Sequence, residues 1–299
     1  MTPILLQVTG QVINLVGLVS PPTAGRLAFR LFSSTKSGKP SNDKERQLLV
    51  AAQADMAEAT LHRLAIAGGD VAAWQFPPRG VPSGRTVLVI HGWGSRIDYL
   101  QALVGGLRDK GCQVIGLDLP GHGSSSGRRL TVPMAIEAIE AASRKFGPFD
   151  AAIGHSFGGF SLTLAAERAL QQIPARLVLV AAPASATFVL AGFSDVLGFS
   201  GRVRRALADQ GQRITGHPVE HYSGPRVLAG LSVPTLVIHA EDDKEVGPQA
   251  ARDYAASGPH VTLEWASGLG HRRIISAPEV IESIHSFIAG RNEPLKLSA

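Results

Sequence analysis

Residues 149–160 read Phe-Asp-Ala-Ala-Ile-Gly-His-Ser-Phe-Gly-Gly-Phe, and this stretch decides how the rest of the chain is interpreted. The apolar run 149–154 has the length of a strand and comes directly before the turn at Ser156. The helix-like segment 160–170 follows that turn. Small residues on both sides of Ser156 allow a sharp turn from strand to helix, which leaves the serine hydroxyl exposed. The pattern G-x-S-x-G in this setting predicts a nucleophilic serine at Ser156.

A second match to the same pattern, at residues 123–127, lacks this setting. It follows a turn-rich loop rather than a strand, and residues 128–131 separate it from the next helical segment. The pattern alone is weak evidence, because short Gly and Ser motifs arise by chance. We therefore place the nucleophile at Ser156.

Apolar runs of strand length alternate with helix-length segments over most of the chain. They lie at residues 86–91, 113–119, 149–154, 177–182, 234–240 and 261–265. Continuous Val, Ile and Leu runs are typical of strands buried on both faces, and amphipathic segments such as 134–146 supply the covering helices. Before them, 61–67 and 71–76 flank Gly68-Gly69-Asp70, which predicts a hairpin. The sequence thus predicts an α/β fold with a mostly parallel, doubly wound sheet and an antiparallel start.

In such a sheet the ligand site lies outside the carboxyl ends of the strands, so the residues that follow each strand carry the chemistry. One strand end reads His91-Gly92-Trp93-Gly94. We expect the backbone N–H of Trp93 and that of Phe157 to form a pair of donors for developing negative charge, an oxyanion hole. A tight turn that simply requires glycine is the alternative interpretation of this loop.

Two further strand ends supply an acid and a base. Asp242 and Asp243 follow the strand 234–240, and His271 follows the last strand, so serine, acid and histidine occur in that chain order. Ser156 would attack an acyl carbon, His271 would take and return the proton, and the carboxylate would orient and stabilise the imidazole. The two aspartates are neighbours on one loop, so only one of them can point at His271.

Together these motifs resemble the α/β-hydrolase superfamily, in its serine esterase and lipase branch. The resemblance covers about residues 60–299 and includes 117–124, Leu-Asp-Leu-Pro-Gly-His-Gly-Ser, which is similar to the family segment D-x-P-G-H-G-x-S. It implies the α/β-hydrolase fold and structural rather than catalytic roles for Asp118 and His122. The family pattern over residues 240–246 favours Asp243 as the acid, with Asp242 as the alternative.

The same resemblance implies a small helical lid at the insertion 185–231. Its apolar side chains, which include Phe188 and Phe193, could close over a substrate, although a helix packed on the sheet explains them almost as well. We expect Phe188, Phe193 and His155 to bind substrate. The predicted organisation is an N-terminal helix and linker (1–45), a hydrolase core in two parts (46–184 and 232–299), and the lid (185–231) between them.

The N-terminal segment falls outside the resemblance. Seven apolar residues fit one face of a helix that ends before Pro21-Pro22, while Gln7, Gln11 and Asn14 lie on the other face. The seven are Ile4, Leu5, Val8, Val12, Leu15, Val16 and Val19. No Lys or Arg precedes Arg26, so the charged start of a secretion signal is missing. The segment is also shorter than the roughly 20 residues that span a bilayer.

Three fates remain open for this amphipathic helix. It packs on its own domain or on a second copy in a homo-oligomer, it lies on a membrane surface, or it is a cleaved or anchoring segment. The basic residues Arg26, Arg30, Lys36 and Lys39 would assist contact with a membrane surface.

Composition excludes several other classes of protein. The 299-residue chain has a formal net charge of +5, but its basic residues are scattered and not interleaved with aromatic residues, so we expect no nucleic-acid partner. Five histidines, His62, His217, His221, His260 and His285, have no neighbouring acid or cysteine at metal-ligand spacing, and the glycine-rich loops match no nucleotide-binding pattern, so we expect neither metal nor cofactor. The single Cys112 is compatible with a reducing compartment. We expect a cytoplasmic protein, peripheral to the membrane if the N-terminal helix binds lipid.

The sequence therefore predicts a serine hydrolase that cleaves small carboxylic esters, or a thioester or lactone, through an acyl-enzyme intermediate. Acyl transfer, carbon–carbon bond hydrolysis and peracid formation are alternatives that use the same residues. A non-catalytic ligand sensor built on the same fold is the alternative from another class.

Overall fold

A computed structural model of the chain describes residues 3–35, 40, 42–168 and 173–291. The described strands are β1 (Thr60–Ile66), β2 (Gly69–Phe76), β3 (Thr86–Ile90), β4 (Gln113–Leu117), β5 (Ala151–His155), β6 (Leu177–Val180), β7 (Thr235–His239) and β8 (Val261–Trp265). The described helices are α1 (Pro3–Val19), α2 (Pro21–Phe32), α3 (Asp43–Ala57), α4 (Gln101–Asp109), α5 (Val132–Phe146), α6 (Phe157–Arg168), α7 (Ala186–Val196), α8 (Gly201–Thr215), α9 (Gly224–Ala229), α10 (Gln249–Ala255), α11 (Gly270–Arg273) and α12 (Pro278–Ile288). They form two compact units, one of residues 35–184 and 224–291 and the other of residues 3–34 and 185–223.

The larger unit is built on one sheet that contains all the described strands, in the order β1-β2-β4-β3-β5-β6-β7-β8. The pairs β1–β2 and β2–β4 are antiparallel, and every later pair, from β3–β4 to β7–β8, is parallel. The predicted α/β-hydrolase fold, mostly parallel with an antiparallel start, is confirmed. The predicted hairpin corresponds to β1 and β2, which turn at Ala67-Gly68.

The central strands are buried on both faces, as their continuous apolar runs predict. Val87 and Val89 of β3, Ile153 of β5 and Ile238 of β7 are fully buried in one core cluster with side chains of the covering helices. Cys112 is buried in the same cluster. Because this core holds the parallel strands in register, their carboxyl ends lie along one edge of the sheet, where loops can bring distant residues together.

The smaller unit combines the N-terminal helices α1 and α2 with α7 and α8 from the insertion. Ala28 and Phe29 of α2 and Val203 and Leu207 of α8 are buried in its core. Asn14 joins α1 to the loop between α7 and α8, because its side chain donates to Gly198 O at 2.9 Å and accepts from Ser200 N at 2.9 Å.

The apolar stripe predicted for α1 does not face this core. Of its seven residues, all but Val16 are exposed, whereas Gly10, Ile13 and Gly17 are buried and Asn14 lies on the packed side. The expected helix is present, ending at Val19 before Pro21, but six of the seven stripe residues point outward. Two glycines allow close packing on the inward side, because a Cβ on Gly10 would lie 1.7 Å from Leu197 O, and Ile13 fills the core beside them.

Two element boundaries differ from the sequence-based expectations. Helix α3 begins at Asp43, inside the segment 1–45 predicted as an N-terminal helix and linker, and α9 belongs to the larger unit although it falls inside the predicted insertion 185–231. The domain boundaries at 45, 184 and 231 stay predictions. Lys36 and Lys39, expected to assist membrane contact, lie outside the described residues.

None of the described helices combines the length and the hydropathy that crossing a membrane requires.

Candidate active site

Ser156 lies in the tight turn between β5 and α6. Its backbone φ of +52° is in the left-handed region, which residues other than glycine rarely adopt. The turn also requires close backbone contact, because a Cβ on Gly154 would lie 2.4 Å from the backbone N of Gly159, and one on Gly158 would lie 2.5 Å from His91 O. The flanking glycines therefore permit the strained turn that presents the Ser156 hydroxyl.

His271 and Asp243 continue a chain of hydrogen bonds from this hydroxyl. Ser156 Oγ lies 2.9 Å from His271 Nε2, and His271 Nδ1 lies 2.8 Å from Asp243 Oδ2. The three side chains come from the β5–α6 turn, the loop after β7 and the short helix α11. The fold thus brings together the serine, the favoured acid and the histidine that the sequence singled out.

The environment of Asp243 keeps its carboxylate ionised. Burial alone would raise its pKa, but hydrogen bonds from His271 and from the backbone amides of Val246 and Glu245 outweigh burial and lower the pKa of Asp243 below its usual value. An ionised carboxylate only accepts hydrogen bonds, so His271 Nδ1 carries a proton, and in the neutral imidazole Nε2 accepts the Ser156 hydroxyl hydrogen. This protonation state is the one that general-base chemistry at Ser156 needs.

Asp242, the alternative acid, points elsewhere. Its Oδ1 accepts from Gly268 N at 2.8 Å and from Gly270 N at 3.3 Å, the backbone just before His271. Asp242 thus holds the loop that carries the histidine, while Asp243 holds the imidazole itself.

His155, predicted to bind substrate, makes a hydrogen bond within the protein. It is buried, its Nε2–H donates to the backbone carbonyl of His271 at 2.9 Å, and its ring centroid lies 5.2 Å from that of His271. Burial lowers the pKa of His155 to about 4, so the ring is neutral at neutral pH. Its Nδ1 is buried and has no hydrogen-bond partner among the described residues. Substrate binding by His155 stays a prediction.

Two more neutral histidines fix the loop that carries Trp93. His91 donates from Nδ1 to Gly92 O and accepts the Leu119 N–H at Nε2, and His122 donates to Pro120 O and accepts the Gly94 N–H. Burial lowers the pKa of each to about 4. The Trp93 ring packs edge-on against Phe157, with centroids 5.5 Å apart.

The two expected oxyanion donors differ in how far their position is defined. Phe157 is the first residue of α6, so its N–H belongs to the first helical turn, where no intrahelical acceptor exists. Trp93 lies on the loop after β3, next to Gly92, at which a Cβ would be 3.0 Å from Ser156 Cβ. Both residues are therefore close to the nucleophile turn, and the aim of their N–H groups at an oxyanion stays a prediction.

Asp118 and the second serine motif have structural contacts. The buried Asp118 carboxylate accepts from Ile97 N, Ser124 N and Trp74 Nε1 at 2.9, 2.9 and 3.1 Å. Ser125, at the centre of that motif, accepts the Ala72 N–H and donates to Asp118 O. These contacts hold the 117–127 loop against the sheet.

The two phenylalanines expected to bind substrate belong to the smaller unit, whereas Ser156, Asp243 and His271 belong to the larger one. Phe188 is exposed on α7. Phe193 packs edge-on against Phe32 and Phe199, with ring centroids 5.1 and 5.8 Å apart. Their roles toward substrate stay predictions.

One charged residue beside the reactive histidine was not predicted from the sequence. Glu245 Oε2 lies 3.9 Å from His271 Nε2, and its Oε1 accepts from Arg272 Nε at 2.8 Å. Its proximity to Asp243 in the sequence was the only available signal, and that signal does not tell which way the side chain points.

No group of three or more His, Cys, Asp or Glu side chains in the described ranges is arranged to hold a metal ion. The chemistry available is that of a hydroxyl nucleophile with a neighbouring imidazole base.

Comparisons with known proteins found a matching family and a similar protein. A family model described as the alpha/beta hydrolase family matches residues 87–283. The pimeloyl-[acyl-carrier protein] methyl ester esterase of Xanthomonas campestris pv. campestris is 27% identical over 248 residues, which are 69% of this chain and 96% of that protein.

Solved structures show the same fold at low identity. The Pyrococcus furiosus esterase Pf2001 has a TM-score of 0.61 and 16% identity, and the match covers 86% of this chain and 98% of the esterase. The Bacillus subtilis carboxylesterase CesB has a TM-score of 0.59 and 15% identity, over 82% of this chain and 97% of CesB.

Proposed function

The chain belongs to the alpha/beta hydrolase family, and on that premise we propose that it hydrolyses small carboxylic esters through an acyl-enzyme intermediate on Ser156. The observation that supports this most directly is the chain of hydrogen bonds from Ser156 Oγ through His271 to Asp243, with lengths of 2.9 and 2.8 Å. Esters rather than amides are the proposed substrates because the relatives named above are esterases.

In the first half-reaction, Ser156 Oγ attacks the acyl carbon while His271 Nε2 takes the hydroxyl proton. The resulting tetrahedral intermediate collapses, its bond to the leaving oxygen breaks, and His271 returns the proton to that oxygen, so an alcohol departs. In the second half-reaction His271 takes a proton from water, the hydroxide attacks the acyl carbon, and Ser156 regains its proton as the acid leaves.

The remaining residues are assigned by what they contact. Asp243 keeps the His271 Nδ1–H directed toward it and stabilises the imidazolium that forms in each step. The N–H groups of Phe157 and Trp93 are the proposed donors to the oxyanion, because Phe157 begins the helix that follows the nucleophile and Trp93 lies on the loop beside it. His155 positions His271 through its backbone carbonyl.

The substrate class is proposed only as far as its reacting group. The Xanthomonas relative is, by its name, an esterase for a methyl ester of a pimeloyl group on acyl-carrier protein. For this chain we propose a small ester of a carboxylic acid and a short alcohol. Membrane contact and self-association stay predictions of the sequence.

The test combines covalent labelling with turnover. A fluorophosphonate probe should label the wild-type chain but not Ser156→Ala, and 4-nitrophenyl esters of increasing acyl length should be hydrolysed with a burst of one 4-nitrophenol per chain. Ser156→Ala and His271→Ala should each lower kcat by about 10⁴-fold or more, with unchanged circular dichroism. A loss of less than tenfold in either variant would reject the assignment.

The same assay separates the alternatives. Product formed mainly with an added alcohol or with hydrogen peroxide would indicate acyl transfer or peracid formation. Stoichiometric ligand binding without turnover or labelling would indicate a sensor.

A further inference from the structure

Helix α1 exposes its large apolar side chains. Ile4, Leu5, Val8, Val12, Leu15, Leu18 and Val19 are all exposed, and we call these seven residues the α1 apolar face. A helix that packs only on its own domain normally turns such a stripe inward. Contiguous exposed apolar surface of this extent marks a site of interaction with another apolar surface.

The inward side of α1 shows that this orientation is fixed by packing within the smaller unit. A Cβ on Gly10 would lie 1.7 Å from Leu197 O, and one on Gly17 would lie 2.8 Å from Val203 Cγ2. Asn14 adds two hydrogen bonds to the loop between α7 and α8. A rotation of α1 that buried the apolar face would break these bonds and place larger residues where only glycine fits.

An open groove extends the apolar face toward α7. Its volume is about 510 Å³, and it lies between Val8, Val12 and Leu15 of α1 and Val196 and Leu197 at the end of α7. The one acidic residue among those that line it, Asp195, is paired with Arg204 at 2.7 Å. Gln7 and Gln11 also line the groove, which is therefore mainly apolar and has little net charge.

Cationic groups lie where α1 ends. Arg202 Nη1 donates to Leu18 O at 3.4 Å, next to the exposed Val19. Arg26 Nη2 donates to Thr23 Oγ1 at 2.9 Å, and that hydroxyl also accepts from Ser20, the residue that joins α1 to α2. Over residues 3–34 and 185–223 together there are six arginines, no lysine and three acidic residues.

We propose that the α1 apolar face binds the surface of an anionic lipid bilayer, with α1 in the plane of the interface and Arg26 and Arg202 beside lipid phosphates. An uncharged, apolar helix side bordered by arginines has the composition of an interfacial helix, which combines burial of apolar side chains with attraction to anionic headgroups. This surface does not involve Ser156, Asp243 or His271, so the proposal is independent of the proposed reaction.

The charge distribution favours lipid over a second copy of the chain. An excess of arginine in this unit attracts an anionic surface and repels an identical unit. In addition, α1 contains no Asp, Glu, Lys or Arg that could set the register of a helix pair.

Flotation of the full-length chain with lipid vesicles tests the proposal. The chain should float with vesicles of phosphatidylcholine and phosphatidylglycerol, and much less with phosphatidylcholine alone. Val12→Glu should lower the partition coefficient about tenfold or more, since Val12 is 53% exposed and loses only its contact with lipid. Arg26→Gln and Arg202→Gln should each lower it about fivefold, and the effect should shrink in high salt.

Val81→Glu is the matched control. It makes the same change in charge at an apolar side chain that is 89% exposed in the larger unit, and it should leave the partition coefficient unchanged. Absence of wild-type binding to anionic vesicles, or equal loss in Val12→Glu and Val81→Glu, would overturn the proposal. A dimer in light scattering that Val12→Glu disperses, without vesicle binding, would overturn it too and assign the face to a second copy.

Discussion

Asp242 and Asp243 are adjacent in the sequence, yet their carboxylates hold different parts of the loop that carries His271. Asp243 Oδ2 lies 2.8 Å from His271 Nδ1, while Asp242 Oδ1 accepts from Gly268 N at 2.8 Å. One aspartate therefore orients the imidazole, and the other orients the backbone that delivers it. Both contacts serve the geometry at Ser156 Oγ, but only the first changes which nitrogen of His271 carries the proton.

Substitution of each aspartate by asparagine should separate these two roles. We expect Asp243→Asn to lower kcat by about 10⁴-fold, because an amide at this position can donate to Nδ1 and so favours the wrong imidazole tautomer. Asp242→Asn retains an acceptor for Gly268 N and should lower kcat by less than about tenfold. Steady-state hydrolysis of a 4-nitrophenyl ester measures both, and a larger loss in Asp242→Asn would move the acid by one position.

Glu245 should make the site discriminate against negatively charged esters. Its Oε2 lies 3.9 Å from His271 Nε2, close to where the acyl group reacts, although the pair with Arg272 and partial exposure weaken its field. We expect Glu245→Gln to raise kcat/KM for 4-nitrophenyl hemisuccinate, relative to 4-nitrophenyl acetate, by about fivefold at low salt.

Glu241→Gln is the control for this experiment. Glu241 is exposed on the same loop and accepts from Ser267 Oγ at 2.8 Å. The relative rates should not change in this variant. An equal effect of the two substitutions, or one that persists in high salt, would show that Glu245 has no specific role.

The sequence predicted the sheet and the three side chains that the fold brings together because those features follow from local rules. Strand runs are continuous where both faces are buried, and the turn at Ser156 requires Gly154 and Gly158 within a few residues. The choice between Asp242 and Asp243 needed the family pattern, since nothing local distinguishes neighbouring carboxylates on one loop.

The features that could not be predicted depend on contacts between distant segments. The stripe on α1 left its own domain, a second copy and a membrane surface open as partners, and only the structure shows that Gly10, Ile13 and Gly17 pack inward while most of the stripe is exposed. Glu245 lies near His271 Nε2 only because the loop after β7 and the loop before α11 fold together. Hydropathy patterns contain no information on either relationship.

Gly154→Ala should destabilise the larger unit severely. A Cβ there would lie 2.4 Å from the backbone of Gly159, where no flexible side chain can move aside, so the turn at Ser156 must distort. We expect a loss of about 3 kcal/mol or more in the free energy of unfolding, together with loss of activity.

The control Gly247→Ala adds a methyl group with nothing within 4 Å and should change stability by no more than about 0.5 kcal/mol. Similar stability of the two variants in urea unfolding would contradict this account of the turn.

The buried neutral histidines should make the larger unit lose stability as the pH falls from about 6.5 to 4. Burial lowers the pKa of His91, His122 and His155 from 6.5 to about 4, so in this window the unfolded chain binds protons that the folded chain does not. Each such histidine contributes a slope of about 1.4 kcal/mol per pH unit, with stability rising toward neutral pH. Asp243 acts outside the window, because its lowered pKa means that its contribution disappears only below about pH 4.

His122→Gln isolates one of these contributions. The side-chain oxygen of the glutamine can still accept the Gly94 N–H that His122 Nε2 accepts at 3.0 Å, but the glutamine does not titrate. We expect the slope of the unfolding free energy against pH, between pH 6.5 and 4, to fall by the amount that corresponds to the binding of about one proton. Trp74, Trp93 and Trp265 all belong to the larger unit, so urea unfolding followed by tryptophan fluorescence reports on it.

The control is His62→Gln, at a half-buried position on β1. An equal change of slope in both variants would show that the acid sensitivity does not come from the histidines around the Trp93 loop.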